Sequence, residues 1–187
     1  MSDIEARLAE AARRFAESGA TPAVPRVAAT VVLLRPALEV YLIERAAGMA
    51  FAAGMYAFPG GAAEPGDADP RATAVREVGE ETGVELDPAA LVPWSRWITP
   101  EFEPRRYDTY FFLARLPAGQ RTRRLGREAA HDLWLPPDRA AHLPMLLPTR
   151  VTLAELAGFD SIDAALAAQR DGTTPLRPRV VDGRLVY

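Results

Sequence analysis

Apolar and polar positions along the first sixty residues change their spacing in a way that separates one helix from two strands. Apolar residues recur every three or four positions over residues 3–18, which predicts an amphipathic helix that ends at Gly19. Residues 27–34 are apolar and rich in β-branched side chains, and residues 38–44 follow a turn, so both segments predict strands. Residues 45–61 are rich in glycine and small apolar residues, which predicts a loop or a close approach of the backbone to another part of the chain.

The remainder of the chain alternates between strand and helix patterns. Asp69 followed by Pro70 is typical of a helix start and Gly83 of a helix end, which predicts a helix over residues 70–82. Short apolar runs, helical spacing and an Asp-Gly turn predict strands at 94–98, 109–115 and 133–135, helices at 152–157 and 161–170, and a hairpin turning at 182–183. Strands mixed with helices indicate an α/β or α+β sandwich.

The composition narrows the chemistry that this chain can perform. All 22 basic residues are arginine, and the chain also lacks cysteine and asparagine. The absence of lysine excludes a Walker-type phosphate loop and Schiff-base chemistry. The absence of cysteine excludes disulfides, thiolate nucleophiles and cysteine-ligated zinc. Any binding of phosphate must therefore depend on arginine, on backbone N–H groups or on a metal held by oxygen ligands.

Charge and hydropathy bear on the partners and the location of the protein. The formal net charge is −3, so we expect no nucleic-acid partner. No apolar run approaches the roughly 20 residues of a membrane span. The N-terminal segment carries acidic residues where a secretory signal needs an apolar core. We therefore expect a cytoplasmic protein that does not enter a membrane.

Three carboxylates share one face of the helix predicted over residues 70–82. At 100° per residue, Glu77, Glu80 and Glu81 fall within an arc of about 100°, opposite small apolar residues. Like charges at this spacing destabilise a helix by roughly a few tenths of a kcal/mol. The face is therefore either an ordinary solvated acidic surface or a site for a hard divalent cation. Mg²⁺ and Mn²⁺ take oxygen ligands, and they need few carboxylates when a substrate supplies phosphate oxygens.

The segment 61–84 resembles the Nudix box. The second half of that motif is matched at every position by Arg76-Glu77-Val78-Gly79-Glu80-Glu81-Thr82-Gly83-Val84. The first half departs from it, because Asp67 stands where the box has Glu and eight residues instead of seven separate Asp67 from Arg76. The additional residue falls in the turn before the helix, where an insertion costs little and leaves the register of the glutamates unchanged.

The resemblance implies a Nudix-like α/β/α sandwich with a mixed sheet, and a diphosphatase that uses Mg²⁺ or Mn²⁺. By position in the motif, Glu77 and Glu81 would be the main metal ligands. Glu80 would be a further ligand or would contribute to base catalysis, and Arg76 would orient these carboxylates. The backbone at Gly61 would bend close to the metal, where its carbonyl oxygen can act as a ligand.

Segments outside the box resemble the acyl-CoA diphosphatase branch of the family. They are residues 28–34, 54–61, 97–101 and 106–112. The resemblance implies CoA or acyl-CoA as the substrate, with Phe58 and Gly60 of the Gly-x3-Phe-Pro-Gly-Gly segment among the substrate-binding residues. ADP-ribose, NADH and nucleotide sugars stay open as substrates, as does a ligand-binding module without turnover.

Further candidate residues follow the box. In this family the general base often comes from a later loop, and Glu128 precedes the strand predicted at 133–135, so Glu128 is a candidate base. Arginine binds phosphate bidentately, which makes Arg105 and Arg106 candidates for contacting an adenosine 3′-phosphate or a diphosphate. The arginine-rich segment 121–127 is a second such candidate. A solvated basic surface is the alternative interpretation of both groups.

The chain length favours one domain with additions at its ends. Residues 1–25 are predicted to form an N-terminal helix and a linker. Residues 26–187 are predicted to form a single Nudix domain, with its box at 61–84 and a C-terminal extension of helices and a hairpin. The added helices are candidates for a homodimer contact. The expected partner is otherwise a small-molecule diphosphate.

Overall fold

The computed structural model describes residues 3–48, 52–123, 129–182 and 184–187. The helices are α1 (Asp3–Ser18), α2 (Pro70–Thr82), α3 (Leu147–Leu156) and α4 (Ile162–Ala167), with short 3₁₀ turns at Pro88–Ala90 and Pro137–His142. The strands are β1 (Arg26–Arg35), β2 (Glu39–Arg45), β3 (Tyr56–Ala57), β4 (Gly60–Ala62), β5 (Val92–Ile98), β6 (Tyr107–Arg115), β7 (Ala129–Leu135), β8 (Pro175–Leu176), β9 (Arg179–Val181) and β10 (Arg184–Val186).

Eight of the described strands form one mixed sheet, and β9 and β10 form a separate hairpin. The sheet follows the order β3-β2-β1-β6-β5-β8, with β4 paired to β1 and β7 paired to β2. β1 is parallel to β6 and β5 is parallel to β8, whereas the other pairs are antiparallel. β1 therefore lies at the centre, with β6 on one side and both β4 and β2 on the other.

Side chains alternate along β1 between two hydrophobic cores. Val31 packs in the core that α2 covers with Val78, and both side chains are fully buried. Val32 packs in the opposite core, which contains Leu156 of α3 and Ile162 of α4. Helices therefore cover both faces of a mixed sheet, which confirms the predicted α/β/α sandwich.

Two short strands lie within residues 45–61, which the sequence predicts as a loop. β3 pairs with β2, and β4 places Gly60 and Gly61 opposite Thr30 and Ala29 of β1. Strands of two or three residues are too short to show an alternating pattern, so their partners decide the structure. The loop alternative is wrong for these residues, whereas the close backbone approach is confirmed where Gly60 lies against Ala29 and Thr30.

The C-terminal helices are confirmed, with shifted bounds. α3 starts at Leu147 and not near residue 152, because Pro148 lies in its first turn, where the missing N–H costs nothing. α4 ends at Ala167 and not at Arg170. The Arg170 guanidinium instead pairs with Glu155 at 2.6 Å and lies 4.3 Å from the centre of the Trp94 indole ring.

The two ends of the described chain contact each other. α1 forms as predicted and lies against the hairpin of β9 and β10, whose predicted turn contains Asp182. None of the helices in the described ranges is long and apolar enough to cross a membrane. The division of the chain at residue 26 stays a prediction.

We expect Gly60→Ala to destabilise the fold more than Gly66→Ala does. Both glycines have positive φ, +155° and +143°, so alanine at either position carries backbone strain of about 1–3 kcal/mol. A Cβ at Gly60 would also lie 2.3 Å from the Ala29 carbonyl oxygen, whereas nothing lies within 4 Å at Gly66. Urea unfolding should show the difference, and equal losses would contradict the close packing of β4 on β1.

Candidate active site

Local signals at both ends of α2 set the register of its side chains. The Asp69 carboxylate accepts hydrogen bonds from the backbone N–H groups of Arg71 and Ala72 at 2.8 and 2.9 Å, which caps the first turn. Gly83 ends the helix at φ +68°, and its N–H donates to the Gly79 carbonyl at 2.9 Å. Since α2 buries Ala74 and Val78 completely against the sheet, the acidic face is turned away from this core.

The acidic face of α2 lies directly against the backbone of β4. The N–H of Gly60 donates to Glu81 Oε2 at 2.9 Å. A Cβ placed on Gly61 would overlap the Glu77 carboxylate, which would then have to move. The absence of a side chain at Gly61 therefore lets the Glu77 carboxylate lie against the main chain.

Arg76 holds the acidic face together. Its Nη1 donates to Glu77 Oε1 at 3.0 Å and to Glu80 Oε2 at 3.1 Å. Its Nε and Nη2 form a fork to the two carboxylate oxygens of Asp67, at 3.2 and 3.0 Å, and Nη2 also donates to the Ala62 carbonyl at 3.1 Å. The fork to Asp67 raises the pKa of the Arg76 guanidinium above its ordinary value, so the cation is permanent.

Asp67 holds the Arg76 side chain in place. Besides the fork, Asp67 Oδ2 accepts hydrogen bonds from the Glu64 N–H at 2.9 Å and from the Thr73 hydroxyl at 3.0 Å. The Arg76 fork is the main cause that holds the pKa of the Asp67 carboxyl well below its usual range. The shorter side chain and the additional turn residue therefore still deliver a carboxylate to Arg76.

The three glutamates of α2 differ in their exposure. The Glu77 side chain is 15% exposed and that of Glu80 is 59% exposed. Among the described residues, no three carboxylate or imidazole side chains converge as a finished metal cage. Arg76 and the Gly60 amide instead balance the negative charges, as they must where like charges share one helix face.

The donor chemistry of this face fits a hard divalent cation. Glu77, Glu80 and Glu81 offer only oxygen ligands, which Mg²⁺ and Mn²⁺ prefer. The main chain of Gly61 lies beside the Glu77 carboxylate, where any larger residue would occupy the space. The structure therefore places Glu77 and Glu81 against the β4 backbone, and their roles as metal ligands stay a prediction.

A polar cluster on the same side of the sheet was not predicted from the sequence. The buried Tyr41 hydroxyl donates to Asp132 Oδ2 at 3.1 Å, and Trp134 Nε1 donates to Thr122 Oγ1 at 3.0 Å. Burial is the main cause that raises the pKa of Tyr41, followed by the charge of Asp132, with a further contribution from Glu81. Asp132 is therefore a further acid on this side of the sheet. The strand predicted at 133–135 does not include it, whereas β7 starts at Ala129.

Two of the predicted substrate-binding residues, Phe58 and Gly60, lie in different surroundings. Phe58 is 4% exposed and packs edge-on against Phe111, in the core opposite α2. The Phe58 side chain thus belongs to the core, and its contact with substrate stays a prediction. Gly60, by contrast, contacts the acidic face directly.

The arginines that precede β6 take different positions. Arg105 is exposed, whereas Arg106 is buried and donates to the carbonyl oxygens of Thr99 and Ala23 at 3.1 and 2.7 Å. The second arginine-rich candidate, residues 121–127, is described only to Arg123, whose N–H donates to the Thr82 carbonyl at 2.8 Å. The predicted base, Glu128, lies outside the described residues.

Comparison with known proteins identifies the family. Residues 24–156 match the model of the NUDIX domain, which is more than half of the chain. The protein therefore belongs to the Nudix family and is a Nudix hydrolase. Nudix hydrolases generally use divalent metals such as Mg²⁺ or Mn²⁺ and act on small-molecule diphosphates.

Solved structures agree with this assignment. A NUDIX hydrolase from Alicyclobacillus acidocaldarius is similar with a TM-score of 0.70 and 27% identity, over 78% of this chain and 96% of that chain. A MutT NUDIX hydrolase from Burkholderia pseudomallei gives 0.60 and 21%, over 71% and 98%. An Ap4A hydrolase from C. elegans gives 0.56 and 22%, over 72% and 99%. The last two likenesses show the fold alone. No curated protein matches the chain.

We expect Asp67→Asn to destabilise the protein at pH 7, because the neutral amide cannot replace the carboxylate in the fork to Arg76. Since the pKa of Asp67 is lowered in the folded state, its contribution is complete above the unfolded value near pH 4 and is lost as the pH falls through the folded pKa. The gap in free energy of unfolding between wild type and variant should therefore narrow below about pH 4.

Urea unfolding between pH 7 and pH 3 measures this gap. Asp160→Asn is the matched control, because Asp160 is exposed and has no partner among the described residues. A gap for Asp67→Asn that stays constant down to pH 3 would contradict the ion pair as its source.

Proposed function

We propose that this protein hydrolyses the diphosphate linkage of a nucleoside diphosphate derivative, with Mg²⁺ or Mn²⁺ held on the acidic face of α2. The observation that carries the proposal is the approach of the Glu77 and Glu81 carboxylates to the β4 backbone at Gly60 and Gly61. In the reaction, the oxygen of a water molecule forms a bond to one phosphorus atom, and the bond between that phosphorus and the bridging oxygen breaks. The products are two phosphate-bearing molecules.

Each group of the acidic face has its own role in the proposed reaction. Glu77, Glu81 and Glu80 would hold the metal, together with the Gly61 carbonyl. The ion would neutralise charge on the diphosphate and would make the attacking water a stronger nucleophile. Arg76 keeps Glu77 and Glu80 in place, and the Gly60 N–H keeps Glu81 in place. Glu128 is the proposed base and accepts the proton of the attacking water.

CoA or acyl-CoA is the proposed substrate. The support is the likeness of the segment 54–61, and of the strands on either side of it, to the CoA-cleaving branch of the family. ADP-ribose, NADH and nucleotide sugars carry the same diphosphate and are the alternatives. A ligand-binding module without turnover has no need of the complete set of Glu77, Glu80 and Glu81, so catalysis is favoured over binding alone.

A substrate panel tests the proposed substrate. CoA, acetyl-CoA, ADP-ribose and NADH are each incubated with the protein and Mg²⁺ or Mn²⁺, and the phosphate-bearing products are separated by chromatography. We expect the highest kcat/KM with CoA or acetyl-CoA, which yields adenosine 3′,5′-bisphosphate. A higher kcat/KM with ADP-ribose or NADH would overturn the choice of CoA, and metal binding without turnover of any compound would favour the binding module.

Glu81→Gln tests the metal assignment. The amide keeps the size of the side chain and removes its charge, so we expect activity and Mn²⁺ affinity each to fall at least about 100-fold, the upper end of what loss of a supporting group costs. Calorimetry measures the affinity. Glu85→Gln is the matched control, because Glu85 lies just beyond α2, where its main chain pairs with Gln120. Full activity in Glu81→Gln would contradict the assignment of Glu81 as a metal ligand.

A further inference from the structure

A polar groove of about 460 Å³ lies where β5 ends and β6 begins. Its wall is the segment 22–25, which connects α1 to β1. Its remaining lining residues come from β5, β6, the turn between them and the chain after β8, and they are Arg96, Ile98, Glu101, Arg106, Asp108 and Arg177. The groove therefore joins both terminal segments of the chain to the sheet.

Arg106 is a buried cation that makes no ion pair with any of the described carboxylates. It is 8% exposed, and its Nε and Nη1 donate to the carbonyl oxygens of Thr99 and Ala23. Within the described ranges it has no carboxylate partner, and Nη2 has no hydrogen-bond partner. Buried arginines are almost always paired with an acid, because an uncompensated charge inside a protein is costly. An anion bound in the groove would supply the negative charge that Arg106 lacks.

The other groups of the groove leave its positive charge uncancelled. Arg96 forms a closed fork to Asp108 at 2.7 and 2.6 Å, so these two neutralise each other. Arg177 is exposed and has no partner in the described part of the chain. Glu101, at the rim, is exposed to solvent, where its charge is screened. Three guanidinium groups thus face two carboxylates, and Arg106 and Arg177 are the two cations left for a ligand.

The groove and the acidic face lie on opposite sides of β1. Val27 of β1 pairs with Asp108 of β6 on one side, and its carbonyl oxygen accepts from the Ala63 N–H, next to β4, on the other. Adjacent strands are about 4.8 Å apart, so the floor of the groove lies about 10 Å from the strand that contacts Glu77 and Glu81. One nucleoside unit can bridge such a distance.

We propose that this groove binds a phosphomonoester on the nucleoside of the substrate, with Arg106 and Arg177 as its ligands. The inference rests on the proposed function, and it identifies the 3′-phosphate of CoA as the group that the groove recognises. The guanidinium fork of arginine matches the geometry of phosphate oxygens. Arg177 lies beyond the residues 24–156 that match the NUDIX domain, so the C-terminal segment adds a specificity residue to that domain.

Calorimetry on the metal-free protein tests the groove without any turnover. The probes are adenosine 3′,5′-bisphosphate, adenosine 5′-monophosphate and inorganic phosphate. We expect the bisphosphate to bind about tenfold more tightly than the monophosphate, the gain from one charge-assisted contact. Arg177→Ala should reduce the affinity for the bisphosphate about tenfold and leave that for the monophosphate unchanged. Arg106→Lys, which keeps the charge but loses the fork, should also weaken the bisphosphate selectively.

The matched control is Arg179→Ala, because Arg179 is exposed, lies two residues from Arg177 and does not line the groove. Equal affinity for both nucleotides, or no selective effect of Arg177→Ala, would overturn the proposal. Inorganic phosphate that binds as tightly as the bisphosphate, with the same dependence on Arg177, would show a free-anion site and would overturn it too. Selective binding of the bisphosphate without cleavage of CoA would support the groove and refute the proposed substrate, so the two failures are distinguishable.

Discussion

The candidate site depends on one ion-pair network, in which Arg76 contacts Asp67, Glu77 and Glu80. Without a cation, three glutamates on a single helix face repel one another, and their side chains would spread into solvent. Arg76 removes this conflict, and Asp67 fixes Arg76 in turn through both oxygens and two further hydrogen bonds. The turn before α2 can therefore vary in length, provided that it returns a carboxylate to the same guanidinium.

A second constraint is the narrow space between β1, β4 and the acidic face of α2. Gly60 has φ +155° and lies against the Ala29 carbonyl, while Gly61 lies against the Glu77 carboxylate. A side chain at the first position would push β4 away from the sheet, and one at the second would push Glu77 out of place. Fold and site thus share the same few atoms, so the fold leaves little freedom to the carboxylates.

Short-range sequence patterns predicted the features that depend on neighbouring residues, such as the bounds of α2. Asp69, Pro70 and Gly83 bound α2 in the sequence as in the structure, and helical periodicity placed the three glutamates on one face. The pairing of β4 with β1, the hydrogen bond from Tyr41 to Asp132 and the contact of Arg106 with Ala23 join residues that are far apart in the chain. No short-range pattern contains them. The motif that suggested substrate contact for Phe58 likewise gave no sign of its packing against Phe111 in the core.

Because the chain has no lysine, the placement of its arginines decides where it can bind a phosphate. Apart from two histidines, every basic side chain is a guanidinium, and two of those near the site have acidic partners, Asp67 for Arg76 and Asp108 for Arg96. Charged side chains therefore lie on both sides of β1, glutamates on α2 and arginines in the groove. In the proposed complex, a metal ion on α2 would meet the diphosphate while the groove held a separate phosphomonoester. The spacing between these two regions would then decide which phosphorus atoms face α2.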